Sequence, residues 1–203
     1  WGQGATHSQS LQSIFGHFPG LYVAAPSSPA DAKGLLVQAL RLDTPVVLLE
    51  NRSLRIARQG MDVTVVAVSL MVYEAYRAAE LLAGQGVSVE VVDIRSIRPL
   101  DEAIICDSVA RTGHLVVADT SWARYGFAAE VAAVVAEHAL DSLRAPVRRV
   151  TLPDCPAPVS WPLENAFHPS AGKIAEACLG VLRADPGSVP ELSDVTAGFV
   201  GPY

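Results

Sequence analysis

Short apolar runs of strand length alternate with amphipathic stretches along most of the chain, and this alternation restricts the fold more than any other feature. DVTVVAVS is a compact apolar run, MVYEAYRAAELLA then repeats apolar side chains at helical spacing, and VSVEVV returns to a strand-like run. A strand–helix–strand rhythm lays consecutive strands side by side with a helix as the crossover. That favours parallel pairing and covers both faces of the sheet. The periodicity predicts helices over residues 8–18, 29–40, 71–83, 101–111, 127–140 and 170–183, and strands over 21–25, 46–49, 63–68, 87–92, 115–118 and 146–150. The punctuation agrees. Pro19-Gly20 stops the first helix, Pro29 suits the first turn of the second, Gly84 and Gly86 close the third, and Asp101 and Gly113 bracket the fourth. The expected fold is α/β, in two units that meet near residues 51–60 with largely parallel sheets. Residues 186–203, rich in Pro, Gly and Ser, read as a mobile tail.

Composition excludes some functions. A hydrophobic fraction of 50% is ample for a core, and a net charge of −6 offers no footprint for nucleic acid or an anionic membrane surface. No apolar run reaches membrane-spanning length. Cys106, Cys155 and Cys178 are odd in number, widely spaced and without a CxxC, which points to reduced thiols and a cytoplasmic protein. Walker, GxGxxG, HExxH and GxSxG motifs are all missing.

Residues 4–51 read GATHSQSLQSIFGHFPGLYVAAPSSPADAKGLLVQALRLDTPVVLLEN. The ordered, gap-free series G-x-x-HSQ, PGL-x-V, DAKGLL and PV-x-x-LE closely resembles the pyrimidine-binding domain in β subunits of thiamine-diphosphate-dependent 2-oxo acid dehydrogenases. DVTVVAVSLMVYEAYRAAELLAGQGVSVEVVDIRSIRPLDEAII, VARTGHLVVADTSWARYGFAAEVAA and APVRRVTLPDCPAP…LENAFHPS resemble the transketolase C-terminal domain, the partner domain of the same subunits. Together the two resemblances span about residues 2–183. They imply the end of a pyrimidine-binding domain over residues 1–54 and a three-layer α/β domain over 55–185. Two departures stand out: the family's long segment ahead of GATHSQS is missing, and the connection at 51–60 is short. The abrupt join near Leu54-Arg55 and the opening at Trp1 favour omitted segments over natural truncation.

The resemblance implies a pyruvate-, branched-chain- or acetoin-type decarboxylase component that oxidatively decarboxylates a 2-oxo acid and passes the acyl group to lipoamide. Thiamine diphosphate would be shared with an α subunit that also holds magnesium. The chain carries no GDG motif with a downstream asparagine, as expected of a β chain, and should be inert alone. The implied partners are that α subunit, a second β chain in an αβ heterotetramer, and a lipoyl acyltransferase core. Two rivals remain. A split transketolase or 1-deoxyxylulose-5-phosphate synthase relative would read THDS where this chain reads THSQS, and a non-catalytic scaffold subunit is the other.

His7, from the HSQ motif, is the candidate catalytic residue, because a ring titrating near neutral pH can shuttle a proton in place; alternatively it caps the turn before the helix. Ser8 and Gln9 read as caps of that helix. The resemblance also implies a potassium ion held by backbone carbonyls of Ala39, Leu40, Leu42 and Thr44, where a helix end offers unpaired carbonyls and negative dipole density. The plainer reading is an ordinary helix end before Pro45. His17, His114, His138 and His168, together with Glu130 and Glu164, read as capping, surface or packing groups, and Glu50 as a subunit-interface or loop-anchoring carboxylate.

Overall fold

The computed structural model describes residues 12–49, 58–158 and 160–184; His7, Ser8, Gln9, Glu50, the join near Leu54-Arg55 and the tail lie outside them. The larger unit is a four-stranded, all-parallel sheet built from β3 (Val63–Val68), β4 (Val89–Ile94), β6 (Leu115–Trp122) and β7 (Arg148–Leu152), in the order β4-β3-β6-β7. Every residue of β3 is buried. Its alternation splits the core in two, as the period of two requires. Val63, Val65 and Ala67 pack with α3 (Leu70–Ala83) and α7 (Ala171–Ala184) on one face. Val66 and Val68 pack with α4 (Glu102–Thr112) and α5 (Phe127–His138) on the other.

Thr64 is the polar member of that buried strand, and α4 satisfies it. Its hydroxyl lies 2.7 Å from Ser108 Oγ and 2.8 Å from Thr112 Oγ1, and Ser108 donates onward to Glu90 Oε1 at 2.6 Å. Arg111 pairs with the same carboxylate. A buried polar group costs little once every partner is met, so this network fixes how α4 lies on the sheet.

The smaller unit joins β1 (Tyr22–Ala24) in parallel to β2 (Val46–Leu48), with α2 (Pro29–Ala39) as the crossover. Ser28 caps α2 by accepting from the Asp31 amide at 3.1 Å, and Pro29 stands in the first turn. On its other side β1 pairs antiparallel with β5 (Ser96–Arg98). Sequence periodicity does not predict β5, because three residues carry no repeat; it forms where β1 offers a free edge. A segment far along the sequence thereby completes the sheet of the first unit.

Other boundaries moved for similar local reasons. β4 sits two residues later than the pattern suggests, and β6 runs on to Trp122 through a register irregularity. α5 ends at His138 and gives way to a short 3-10 turn over Leu140–Ser142, and α6 (Trp161–Phe167) is a helix the alternation did not show. His114, expected at the surface or in a cap, is buried, with Nδ1 lying 2.9 Å from the Asp62 carbonyl and 3.1 Å from that of Thr112. His168 packs edge-on against Phe167, and His138 is exposed beside Glu102.

All three cysteines are free. Burial pushes the Cys178 thiol up to about 12, so its thiolate is scarce at neutral pH, whereas Cys155 is exposed. The expected result with a thiol-specific chromogenic reagent is prompt labelling of Cys155 in the native protein. Cys178 should react only after denaturation, and fast native labelling of Cys178 would place that helix face open.

Candidate active site

α1 (Gln12–Gly16) is the described element that directly follows the GATHSQS segment. A single turn is too short to be stable by itself. What holds it is polar. Gln12, the buried residue of α1, donates from Nε2 to Asp119 Oδ1 at 2.7 Å. Ser13 Oγ accepts the Phe127 amide at 2.9 Å, so it caps α5, whose own N-cap position is Gly126 and has no side chain to offer. Arg98 Nη1 donates to the Gly16 carbonyl at 3.2 Å and closes the other end of α1.

Asp119 is the centre of this arrangement. It lies at 0% exposure in the middle of β6, directly after the apolar run LVVA and one residue past the end of the ladder to β3. Burial pushes its carboxyl up from the ordinary range, while hydrogen bonds from the Ser121 hydroxyl and amide, the Gln12 amide and the Thr120 amide pull it back. Sequence reasoning passed over Asp119 because a lone acid in a strand has no motif. The available signal was the carboxylate itself, since an acid inside an apolar strand must be met by donors from elsewhere.

Beyond α1 opens a cleft of about 1230 Å³, walled by α1, by the Ile97–Leu100 connection and by the turn from Trp122 to Gly126. That turn is firmly built. Arg149 Nη1 donates to the Ala123 carbonyl at 2.6 Å, and Trp122 packs against Leu152, Ala157 and Phe167. Tyr125 stands on left-handed backbone, φ 56°, with 97% of its surface exposed. A side chain at Gly126 would run into the Trp122 carbonyl and come within 2.7 Å of Ser121 Oγ. Glu130, expected to be structural, faces the cleft from α5.

The potassium candidates are neighbours at the end of α2. Ala39 is its last residue and Leu40 its C-cap; the Ala39 carbonyl accepts the Leu42 amide at 3.2 Å, and the Pro45 carbonyl, next to Thr44, accepts the Tyr22 amide at 3.0 Å. Among the described residues no three His, Cys, Asp or Glu side chains are grouped to hold a metal ion. The polar groups facing the cleft include Arg98, Arg124, Glu102 and Asp154, a mixed set without a cradle for a diphosphate and its cation. The described residues therefore do not fit the whole of thiamine diphosphate.

Comparison with known proteins identifies two domains in the chain. The description "Transketolase, pyrimidine binding domain" matches residues 2–56, and "Transketolase, C-terminal domain" matches residues 53–174. The chain is 40% identical to the acetoin:2,6-dichlorophenolindophenol oxidoreductase subunit beta of Cupriavidus necator, over 88% of this chain and 59% of that protein. It is 40% identical to the mitochondrial pyruvate dehydrogenase E1 component subunit beta of Dictyostelium discoideum, over 89% of this chain and 57% of that protein. The chain thus spans less than two thirds of the length of these relatives. A solved structure described as a split gene transketolase, inactive beta4 tetramer, superposes with a TM-score of 0.74 at 23% identity, over 86% of this chain and 61% of that one, and shows the shared fold. With both domains matched in sequence order around the same cleft, the chain belongs to the thiamine-diphosphate-dependent transketolase family.

Proposed function

We propose that this chain acts as the β subunit of a 2-oxo acid dehydrogenase decarboxylase component of pyruvate or acetoin type. The observation that carries this is 40% identity, across both domains at once, to the β subunits of an acetoin oxidoreductase and a pyruvate dehydrogenase. Thiamine diphosphate supplies the decarboxylating chemistry when bound, with magnesium on an α chain. This chain's share is to bound the cleft, to orient the HSQ segment ahead of α1, and to take up and return a proton at the ring of His7.

The partners in this reading are an α chain, a second copy of this chain in a heterotetramer, and a lipoyl acyltransferase core. Exposed apolar side chains support assembly. Leu36, Val37 and Leu40 on or beside α2, the last at 81% exposure, and Ile14 and Phe18 around α1 are exposed apolar side chains of the kind an interface covers. α2 has no buried residue within the described chain. Cytoplasmic residence is proposed from the three free thiols. The direct test supplies the complete protein with an α chain and follows reduction of dichlorophenolindophenol with pyruvate, a branched-chain 2-oxo acid or acetoin as the substrate. Turnover of pyruvate, acetoin or a branched-chain acid supports the proposal; ketol transfer between sugar phosphates in its place overturns it.

Potassium at the carbonyls of Ala39, Leu40, Leu42 and Thr44 belongs to the same proposal. A cation bound by the folded assembly and not by the unfolded chain raises stability by mass action. Replacing potassium with tetramethylammonium at constant ionic strength should therefore lower the melting temperature of the assembly. An unchanged melting curve would return this helix end to an ordinary turn.

A further inference from the structure

We propose that Asp93, Ser27, Arg95 and Asp31 form a proton-sensitive clamp that ties the two sheets together and sets how firmly β5 lies against β1. The clamp stands whether or not the chain serves a dehydrogenase. Asp93 is the penultimate residue of β4, in register with Ala67 of β3, and its side chain is only 3% exposed. One carboxylate oxygen, Oδ2, accepts the Ser27 hydroxyl, which follows β1 in the smaller unit. The other, Oδ1, is buried and has no hydrogen-bond partner among the described residues. Arg95 stands between two acids. Its Nε lies 3.6 Å from Asp93 Oδ2, while its Nη1 donates to Asp31 Oδ1, in the first turn of α2, at 2.8 Å. Ser28 bonds the second Asp31 oxygen. The Ala25 amide donates to the Arg95 carbonyl at 2.8 Å, directly beside the β1–β5 pairing.

A buried carboxylate carries its charge cheaply only when both oxygens meet donors, and Asp93 has donors on one. The guanidinium it shares is half in solvent and closer to Asp31. Burial pushes the Asp93 carboxyl above its ordinary range; the Ser27 hydroxyl and Arg95 pull against this, and the like charge of Asp31 adds to it. The charged groups acting on Asp93 are thus Arg95 and Asp31, while β3 brings the neutral Ala67. Opening the clamp to water restores the ordinary carboxylate range, so opening is coupled to loss of a proton. The clamp is therefore firmest at acidic pH, with Asp93 protonated, and loosens as pH rises through the raised value. β5 continues into the Ile97–Leu100 wall of the cleft, and Arg98 on β5 holds the Gly16 carbonyl of α1. A looser clamp loosens that wall.

The experiment reads amide hydrogen exchange of the complete protein from about pH 4 to about pH 8, as protection factors that remove the intrinsic pH dependence of exchange. Residues 25–31 and 95–98 report the clamp, and β3 reports the core. Protection of the clamp should fall with rising pH, by up to about tenfold per unit, and level off above the raised value while β3 stays protected. Asp93→Asn, which cannot ionise, should abolish that fall. Ser27→Ala removes a donor to the charged form, so the fall should persist with its midpoint at higher pH. A flat profile in the unsubstituted protein overturns the proposal, as does a fall that survives unchanged in Asp93→Asn. Should Asp93→Asn fail to fold, Ser27→Ala decides alone: a raised midpoint supports the clamp, and an unmoved one overturns it.

Discussion

Replacing His7 with alanine, in the complete protein with its α chain present, should lower acyl transfer to a lipoyl acceptor about a hundredfold or more, the usual scale for losing a positioned proton-transfer group. Histidine is the side chain whose ordinary range lets it both take and return a proton during one turnover. Folding should survive, since a polar residue ahead of a helix contributes only about 1 kcal/mol when its role is capping. The check pairs the steady-state rate with thermal melting of the same variant. A normal rate would remove His7 from the active site, and a collapsed melting temperature with it would assign the residue to the helix cap instead.

A large stability effect is expected at Gly126. An added methyl there meets the Trp122 carbonyl and approaches Ser121 Oγ to 2.7 Å, and the first of these is backbone that cannot swing aside. Arg149, on the Ala123 carbonyl, and the packing of Trp122 hold the start of the turn, so it has little room to relax. Overpacking of this kind costs about 1–3 kcal/mol and at times more. Gly126→Ala should therefore lower the urea midpoint at unchanged slope, and should also disturb Ser121 and the Asp119 network, reducing turnover. Gly180→Ala is the matched control, because no atom lies within 4 Å of its added carbon in the interior of α7, where alanine stabilises a helix by about 1 kcal/mol. Equal melting behaviour of the two variants would contradict the steric reading of the turn.

How far the sequence carried the fold follows from what kind of signal each element leaves. β3, α3 and α4 were legible because they are long enough to show a period and are closed by Gly84 or bracketed by Asp101 and Gly113. Asp101 caps α4 as its position suggested, accepting the Ile104 amide at 3.2 Å. β5 was not legible, since three residues become a strand only when β1 supplies the partner. The site divides in the same way. The family resemblance pointed to His7 through the HSQ motif and to Ala39, Leu40, Leu42 and Thr44 as matching positions, whereas Gln12, Ser13, Asp119 and Ser121 become a unit only through contacts more than a hundred residues apart. A contact between segments so far apart leaves no mark in local sequence.

The most direct measurement is calorimetric titration of thiamine diphosphate, with magnesium present, into the complete protein alone and then into its mixture with the α chain. A site completed between chains predicts no saturable binding to this protein by itself and a saturable isotherm, near one cofactor per αβ pair, once the α chain is added. Saturable binding by this protein alone would contradict a shared site.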